Sequence, residues 1–179
     1  DQDAGGKILV HTGEGKGKTT SAIGQIIRAE GHGLMTKLVS FFKGNEEMFN
    51  RGTFVVLRKL GVPVKNFARD HPDFGRTSEL EARSECKEAL SYLNEFFQTE
   101  GSEYDLLVLD EVNVALANGC IEEEEFLELL EEKPKNLELV CTGRGAPDSL
   151  IKVADLVSRI ENEKHFYDQG VVQRQGYEY

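Results

Sequence analysis

The sequence predicts an α/β domain with a mostly parallel sheet and helices on both faces. Three observations predict it. Apolar strand-like runs alternate with helix-periodic segments along the chain. Several of those runs are continuous, as in Leu106-Leu107-Val108-Leu109, which is the pattern of a strand covered on both faces. Polar sites follow three of the runs, at Gly13 to Thr19, Asp110-Glu111 and Gly143-Arg144-Gly145. Ligands of open parallel sheets bind beyond the carboxyl ends of the strands, where such sites would lie.

The elements follow in order. Lys7 to Thr12 reads as the first strand. Ala22, Ile23, Ile26, Ile27 and Glu30 recur at intervals of three and four and give a helix, which Gly31-His32-Gly33 ends. Met35 to Phe42 reads as the second strand, with Val55 to Leu57 and Val64 to Phe67 as weaker strand signals. Arg69 to Gly75 is a polar loop containing Pro72. Ala82, Cys86, Ala89, Leu90, Leu93, Phe96 and Phe97 fall on one side of the longest helix. After the Leu106 to Leu109 strand, a polar turn with Asn118-Gly119 leads to an acidic helix from Ile121 to Glu132. Leu137 to Thr142 is a strand, Asp148 to Ala154 a short helix and Leu156 to Ile160 a last strand, while Lys164 to Tyr179 has no clear period. No repeat or linker interrupts the order, so residues 1–179 read as a single domain.

Composition narrows the function classes. The formal net charge is −11, which argues against nonspecific nucleic-acid binding through clustered Lys and Arg. Much of the acidity sits in Glu122 to Glu125 and Glu131-Glu132, a pattern that a solvated helix face explains. No apolar run is long enough for a membrane span, and no basic-then-apolar leader is visible. Cys86, Cys120 and Cys141 form no Cys-x-x-Cys pair; Cys86 and Cys141 read as small core residues. A reducing, cytoplasmic setting fits that usage.

The strongest local signal is Thr12-Gly13-Glu14-Gly15-Lys16-Gly17-Lys18-Thr19-Thr20, placed between a strand and a helix. It departs from the usual phosphate-loop spacing only in having Thr12 at the first position. Three glycines allow backbone N–H groups to wrap phosphate oxygens, and the helix N-terminus adds a favourable field. Gly13, Glu14, Gly15, Lys16, Gly17, Lys18, Thr19 and Thr20 are therefore the candidate nucleotide-binding residues. Lys18 is set to reach terminal phosphates and Thr19 to ligate Mg²⁺. An acid at the end of a buried strand, here Asp110-Glu111, holds that ion directly or through water. Arg144 offers a guanidinium fork for phosphate. These residues specify a P-loop nucleotide-binding fold that takes ATP or GTP, and they identify no second substrate. A P-loop kinase and a nucleotide-switch ATPase stay open.

The whole order of motifs resembles the P-loop ATP:corrinoid adenosyltransferases, the α/β class of cobalamin-adenosylating enzymes. The resemblance runs from about Lys7 to Tyr179. It is carried by the phosphate loop, Arg28-Ala29-Glu30-Gly31-His32-Gly33, Phe41-Phe42-Lys43-Gly44, Val108-Leu109-Asp110-Glu111, Thr142-Gly143-Arg144-Gly145, Ala154-Asp155-Leu156-Val157, Lys164-His165, Gly170 and Tyr179. It implies transfer of the 5′-deoxyadenosyl group of ATP to the reduced cobalt of cobalamin or another corrinoid, with release of triphosphate. It further implies that Thr19 and Glu111 hold Mg²⁺, that Arg28 lies near the ATP–corrinoid site and that Arg144 contacts phosphate. A homodimer is implied, served by an electron donor such as a flavodoxin or a flavin reductase. Many relatives place a Phe and a Trp under the corrinoid. This chain has no Trp, and Phe74 is the candidate replacement, with Phe67 next. Phe41, Phe42, Phe67 and Phe74 are the candidates for an apolar floor, with core packing the competing reading for Phe41 and Phe42.

Overall fold

The computed structural model describes residues 5–44, 52–75, 77–172 and 174–177. Six strands form one sheet: β1 (Ile8–Thr12), β2 (Thr36–Phe41), β3 (Val64–Phe67), β4 (Leu106–Asp110), β5 (Glu138–Thr142) and β6 (Leu156–Arg159). Their order is β3-β2-β4-β5-β1-β6, and every pairing is parallel. All carboxyl ends therefore open on one edge, the edge that carries the three polar sites of the sequence. Strand β5 lies between β1 and β4, so the phosphate loop and the acid pair are separated by the end of β5.

Among the described residues six α-helices cover the two faces: α1 (Lys18–Gly31), α2 (Gly52–Lys59), α3 (Glu79–Thr99), α4 (Val112–Ala117), α5 (Glu123–Glu131) and α6 (Asp148–Val153). Alternate strand residues serve opposite cores. Val10, Val39, Leu107, Leu109, Leu139 and Cys141 pack with the Ala82, Cys86, Ala89, Leu93 and Phe96 stripe of α3. Leu9, Leu38, Leu106, Val108 and Val140 pack with Ala22 and Ile26 of α1 and Phe54 and Leu57 of α2. Two apolar faces per strand are why the sequence shows continuous runs. Each large side chain buried in this way contributes about 1.5–3 kcal/mol.

Helix α3 begins with a capping box. Ser78 N–H donates to Glu81 Oε2 at 2.9 Å, and Glu81 N–H donates to Ser78 Oγ at 3.2 Å. Two local readings change. Val55 to Leu57 lies inside helix α2 and not in a strand. Phe54 and Leu57, three apart, are its buried positions, and that helical spacing prevails over the strand preference of two consecutive valines. The polar turn at Asn118-Gly119 stands where the sequence puts it, but the stretch between Glu111 and that turn holds a short helix, α4, that the sequence does not announce.

All three cysteines are free and buried. Burial pushes the Cys141 thiol, in the central strand β5, up to about 12. Burial, with Cys120 beside it, does the same for Cys86. Among the described residues no helix is long and apolar enough to cross a membrane.

Candidate functional site

The site forms where β1, β5, β4 and β2 end. Between β1 and α1 the loop uses its glycines for close approach as well as for turning. Gly13 has φ 97°, and a Cβ there would stand 2.4 Å from the Ile160 carbonyl oxygen. A Cβ on Gly15 would stand 2.4 Å from the Glu161 carbonyl oxygen. Gly15 N–H donates to Ile160 O at 2.7 Å, so the chain just after β6 buttresses the loop. Gly17, at φ 121°, then turns the chain into α1.

Lys18 is the first residue of α1, and its side chain folds back over the loop. Its ammonium donates to the carbonyls of Gly13 at 2.7 Å and Gly15 at 2.6 Å. Burial lowers the Lys18 pKa from its ordinary value, and the nearby Arg144 charge lowers it further, against opposing pulls from Glu111 and Glu14. Glu14, Lys16 and Thr20 are exposed, while Thr19 is half-buried. Arg144 follows the β5 end and pairs with Glu14 at 3.3 Å, both well exposed. Such a pair stabilises the fold by only about 0–1 kcal/mol, but it brings the guanidinium over the loop.

The acid pair is built more tightly. Asp110, only 1% exposed, accepts from the hydroxyls of Thr19 and Thr142 on Oδ1, each at 2.7 Å. Thr142 Oγ1 also accepts from Glu111 N–H at 3.0 Å. Thr142 thus joins the phosphate-loop helix, the acid-bearing strand and the turn after it. Glu111 takes the left-handed region, φ 66°, unusual for a residue with a Cβ. Asn113 donates to His11 O at 3.2 Å and to Gly143 O at 3.1 Å, locking the β1 and β5 ends together. Gly143 has φ 131°, and a Cβ there would meet Asn113 Cβ and Val114 N at 3.1 Å and Glu111 Oε2 at 3.2 Å.

The Thr19 hydroxyl, Asp110 Oδ2 and Glu111 make up an all-oxygen set suited to a hard divalent cation. Asp110 Oδ2 is buried and has no hydrogen-bond partner among the described residues. Lys43 Nζ stands 3.3 Å from it and 3.0 Å from Glu111 Oε1. The first contact is therefore charge against charge without a well-aimed N–H, and it leaves a buried anionic oxygen with capacity to spare. That fits Mg²⁺. Among the described residues no three His, Cys, Asp or Glu side chains form a ready-made cage. Mg²⁺ is commonly held by one or two carboxylates together with substrate phosphates, and a site of this kind needs no such cage.

The middle loop reaches the same edge. Pro72–Phe74 forms one 3₁₀ turn, closed by Gly75 at φ 67°. His71 faces Phe42 edge-on with ring centroids 5.1 Å apart, and its Nε2 lies 2.8 Å from Asn118 Nδ2 at the end of α4. The Phe74 side chain lies outside the described residues, as does Tyr179. Phe41 is fully buried core. Phe42 is half-buried beside His71, and Phe67 packs on Tyr92 at 5.4 Å. Arg28 is exposed in the last turn of α1, ten residues from Lys18, or about 15 Å along the axis at roughly 1.5 Å per residue. Within one chain it is not gathered with the loop.

Three contributors escape a reading of the sequence. Lys43 sits in a motif that carried the resemblance, but its spacing announces no role. Thr142 and Asn113 depend on strand order, which only tertiary structure supplies.

The family model described as ATP:corrinoid adenosyltransferase BtuR/CobO/CobP matches residues 4–179. The chain is 34% identical over 182 residues to the corrinoid adenosyltransferase of Pseudomonas aeruginosa, covering 99% of this chain and 86% of that protein. It is 33% identical over 178 residues to the corrinoid adenosyltransferase of Escherichia coli, covering 99% and 88%. To the corrinoid adenosyltransferase CobA of Salmonella typhimurium it is 32% identical over 180 residues, again covering 99% and 88%.

Proposed function

Because the chain belongs to the ATP:corrinoid adenosyltransferases, we propose that it transfers the 5′-deoxyadenosyl group of ATP to the reduced cobalt of cobalamin or a precursor corrinoid and releases triphosphate. One observation carries the reading: Lys18, Thr19, Asp110, Glu111 and Arg144 converge at the carboxyl ends of the strands, in a chain that matches this family almost end to end.

Cob(I)alamin enters as a substrate whose cobalt already holds a nucleophilic electron pair. A Co–C5′ bond forms as the C5′–O5′ bond breaks, and triphosphate leaves with the bonding pair. The nucleophile has no proton to lose, so the site needs no general base. Its tasks are to hold the leaving group, to position C5′ and to keep water away. Gly13 to Thr20 bind the triphosphate through loop amides and the α1 N-terminus, with Lys18 on the terminal phosphates. Arg144, drawn over the loop by Glu14, adds a fork to the same group. Thr19 and Glu111, with Asp110 adjoining, would hold Mg²⁺, whose charge offsets that of the leaving triphosphate. Phe74, with Phe42 and Phe67 as further candidates, is proposed to supply the apolar floor that removes a lower cobalt ligand. The place of Arg28 near the ATP–corrinoid site rests on family resemblance.

In this reading the protein works as a cytoplasmic homodimer supplied with electrons by a flavodoxin or flavin reductase. The decisive experiment is product analysis. With Mg-ATP and chemically reduced cobalamin, inorganic triphosphate and an adenosylated corrinoid should accumulate in equal amounts, and neither should form when the corrinoid is omitted. Production of ADP instead would favour a kinase or a switch ATPase.

A further inference from the structure

Lys18 and Lys43 are both largely buried at this site, and they have different partners. Lys18 donates to the loop carbonyls of Gly13 and Gly15. Lys43 lies across the acid pair, 3.3 Å from Asp110 Oδ2 and 3.0 Å from Glu111 Oε1, with its side chain only 14% exposed.

The backbone is bent to put it there. Strand β2 pairs with β4 in a register that sets Ser40 against Asp110. Two residues later Phe42 takes φ 55°, a left-handed conformation that costs a residue with a side chain about 1–3 kcal/mol. Its N–H donates to Ala68 O at 2.8 Å, which fixes the bend. The next residue, Lys43, is thereby turned across the end of the neighbouring strand. Ala68, at the end of β3, and Glu111, after β4, also take positive φ, 50° and 66°. Three adjacent strands thus end in non-glycine residues held in a costly conformation, and the middle one aims Lys43 at the acids.

Electrostatics explains the need for it. Asp110 is 1% exposed and adjoins a second carboxylate, and two such anions side by side are strongly disfavoured unless a cation stands between them. Thr19 and Thr142 satisfy Oδ1 but bring no charge. Lys43 supplies the charge, yet it leaves Oδ2 without a true hydrogen bond. An ammonium in that position can be displaced by a hard ion that bonds both carboxylates better.

We propose that Lys43 is the built-in counter-cation of the Asp110–Glu111 pair: it competes with Mg²⁺ for these carboxylates and keeps the site from binding the metal tightly before nucleotide arrives. Once displaced, its ammonium lies beside the triphosphate and adds a positive charge where the leaving group develops. Lys43 thus couples metal entry to nucleotide entry. The proposal rests on the metal-binding role given above to the acid pair, and it is independent of which group the enzyme transfers.

The test uses Mn²⁺, read by its electron paramagnetic resonance signal, titrated into the whole protein without nucleotide or corrinoid. Lys43→Ala and Lys43→Gln should each bind one Mn²⁺ about tenfold or more tightly than the wild type, because a unit charge has been removed beside the ligands. Lys43→Arg keeps the charge and should stay near wild type. Adding Glu111→Gln to Lys43→Gln should abolish the gain. With nucleotide present, the preference for the variants should shrink or reverse, since the ammonium then helps the triphosphate. Two neutral variants allow the comparison even where one folds poorly. Mn²⁺ binding that is unchanged or weaker in the folded neutral variants overturns the proposal. A protein that shows the expected metal pattern but makes ADP would overturn the adenosyl-transfer reading and leave this one standing.

Discussion

Thr19 donates its hydroxyl to Asp110 Oδ1 at 2.7 Å, across 91 residues of sequence. The bond couples the start of α1 to the end of β4 although β5 runs between β1 and β4, and Thr142 of β5 closes the gap by bonding the same oxygen. Asp110 therefore has an architectural role as well as a place beside the proposed metal site, and Glu111, half-buried after the strand, is the acid to change without disturbing that architecture. Glu111→Gln should melt close to the wild type and need several-fold more Mg²⁺ for half-maximal turnover. Asp110→Asn turns an amide toward Lys43 and should cost about 1–3 kcal/mol of stability. A Glu111→Gln enzyme at the wild-type rate across a Mg²⁺ titration would remove that acid from the metal site.

Lys18→Ala should weaken ATP binding by about tenfold to a hundredfold, the loss expected of a charge-assisted phosphate contact. The pH dependence follows from the sign of its shift. Burial, with Arg144, lowers the pKa of the free protein's Lys18. Phosphate stabilises the ammonium, so the bound form holds its proton more firmly than the free form. Binding above the lowered pKa then takes up a proton, and affinity falls with rising pH earlier than an ordinary lysine would dictate. For folding the sign is opposite: the depressed pKa means the unfolded chain binds more protons in that alkaline window, so this one group adds stability as pH rises. Calorimetry of ATP binding in buffers of different ionisation heat, from neutral to pH 10, measures the uptake directly. Equal proton uptake in the wild type and Lys18→Ala would show that another group is responsible.

Gly143→Ala tests the junction between β5 and α4. The new methyl would have to share space with Asn113 Cβ and Val114 N at 3.1 Å, at a φ of 131° that alanine rarely adopts. A destabilisation of about 1–3 kcal/mol is expected from the strained conformation alone. Because Asn113 and Glu111 move with it, nucleotide turnover should fall more than thermal stability predicts. Unfolding by urea alongside ATP turnover separates the two effects.

Phe74→Ala tests the floor proposed for the corrinoid. Under a weak reductant with cob(II)alamin, the variant should lose most activity and the magnetic circular dichroism signature of four-coordinate cobalt. Cobinamide has no lower nucleotide loop, and chemically prepared cob(I)alamin has already been reduced, so both should show a smaller loss. An unchanged four-coordinate signal would move the role to another aromatic, with Phe67 the next to examine.

Much of this molecule is legible in its sequence because local and global demands agree. Buried parallel strands need apolar residues on both faces, and the Leu106 to Leu109 run states that without ambiguity. The phosphate loop is equally plain, since a strand, three glycines, Lys18, Thr19 and a helix must follow one another in sequence. What fails to show depends on neighbours distant in sequence. Thr142 looks like an ordinary strand-ending threonine until β5 is set between β1 and β4. Lys43 looks like a surface lysine until the left-handed Phe42 turns it over β4. Helix α2 is hidden by Val55 and Val56, whose strand preference is outweighed by the burial of Phe54 and Leu57. Arg28 poses the converse problem: its motif is readable, but α1 carries it to the end away from the loop.

The buried thiols make the protein a recorder of its own opening. Cys141 lies at the centre of the sheet with no exposed surface, while Cys120 near the end of α4 retains 7% exposure. Alkylation needs a solvated thiolate, so each cysteine can react only during fluctuations that uncover it. Brief labelling with iodoacetamide under native conditions, followed by peptide mass analysis, would time two kinds of event without an introduced probe. Cys120 would count local departures of the α4–α5 corner, and Cys141 would count separations of the sheet itself. If ATP slows only the first, its effect is confined to the rim of the site; if it slows both, nucleotide binding holds the whole domain shut.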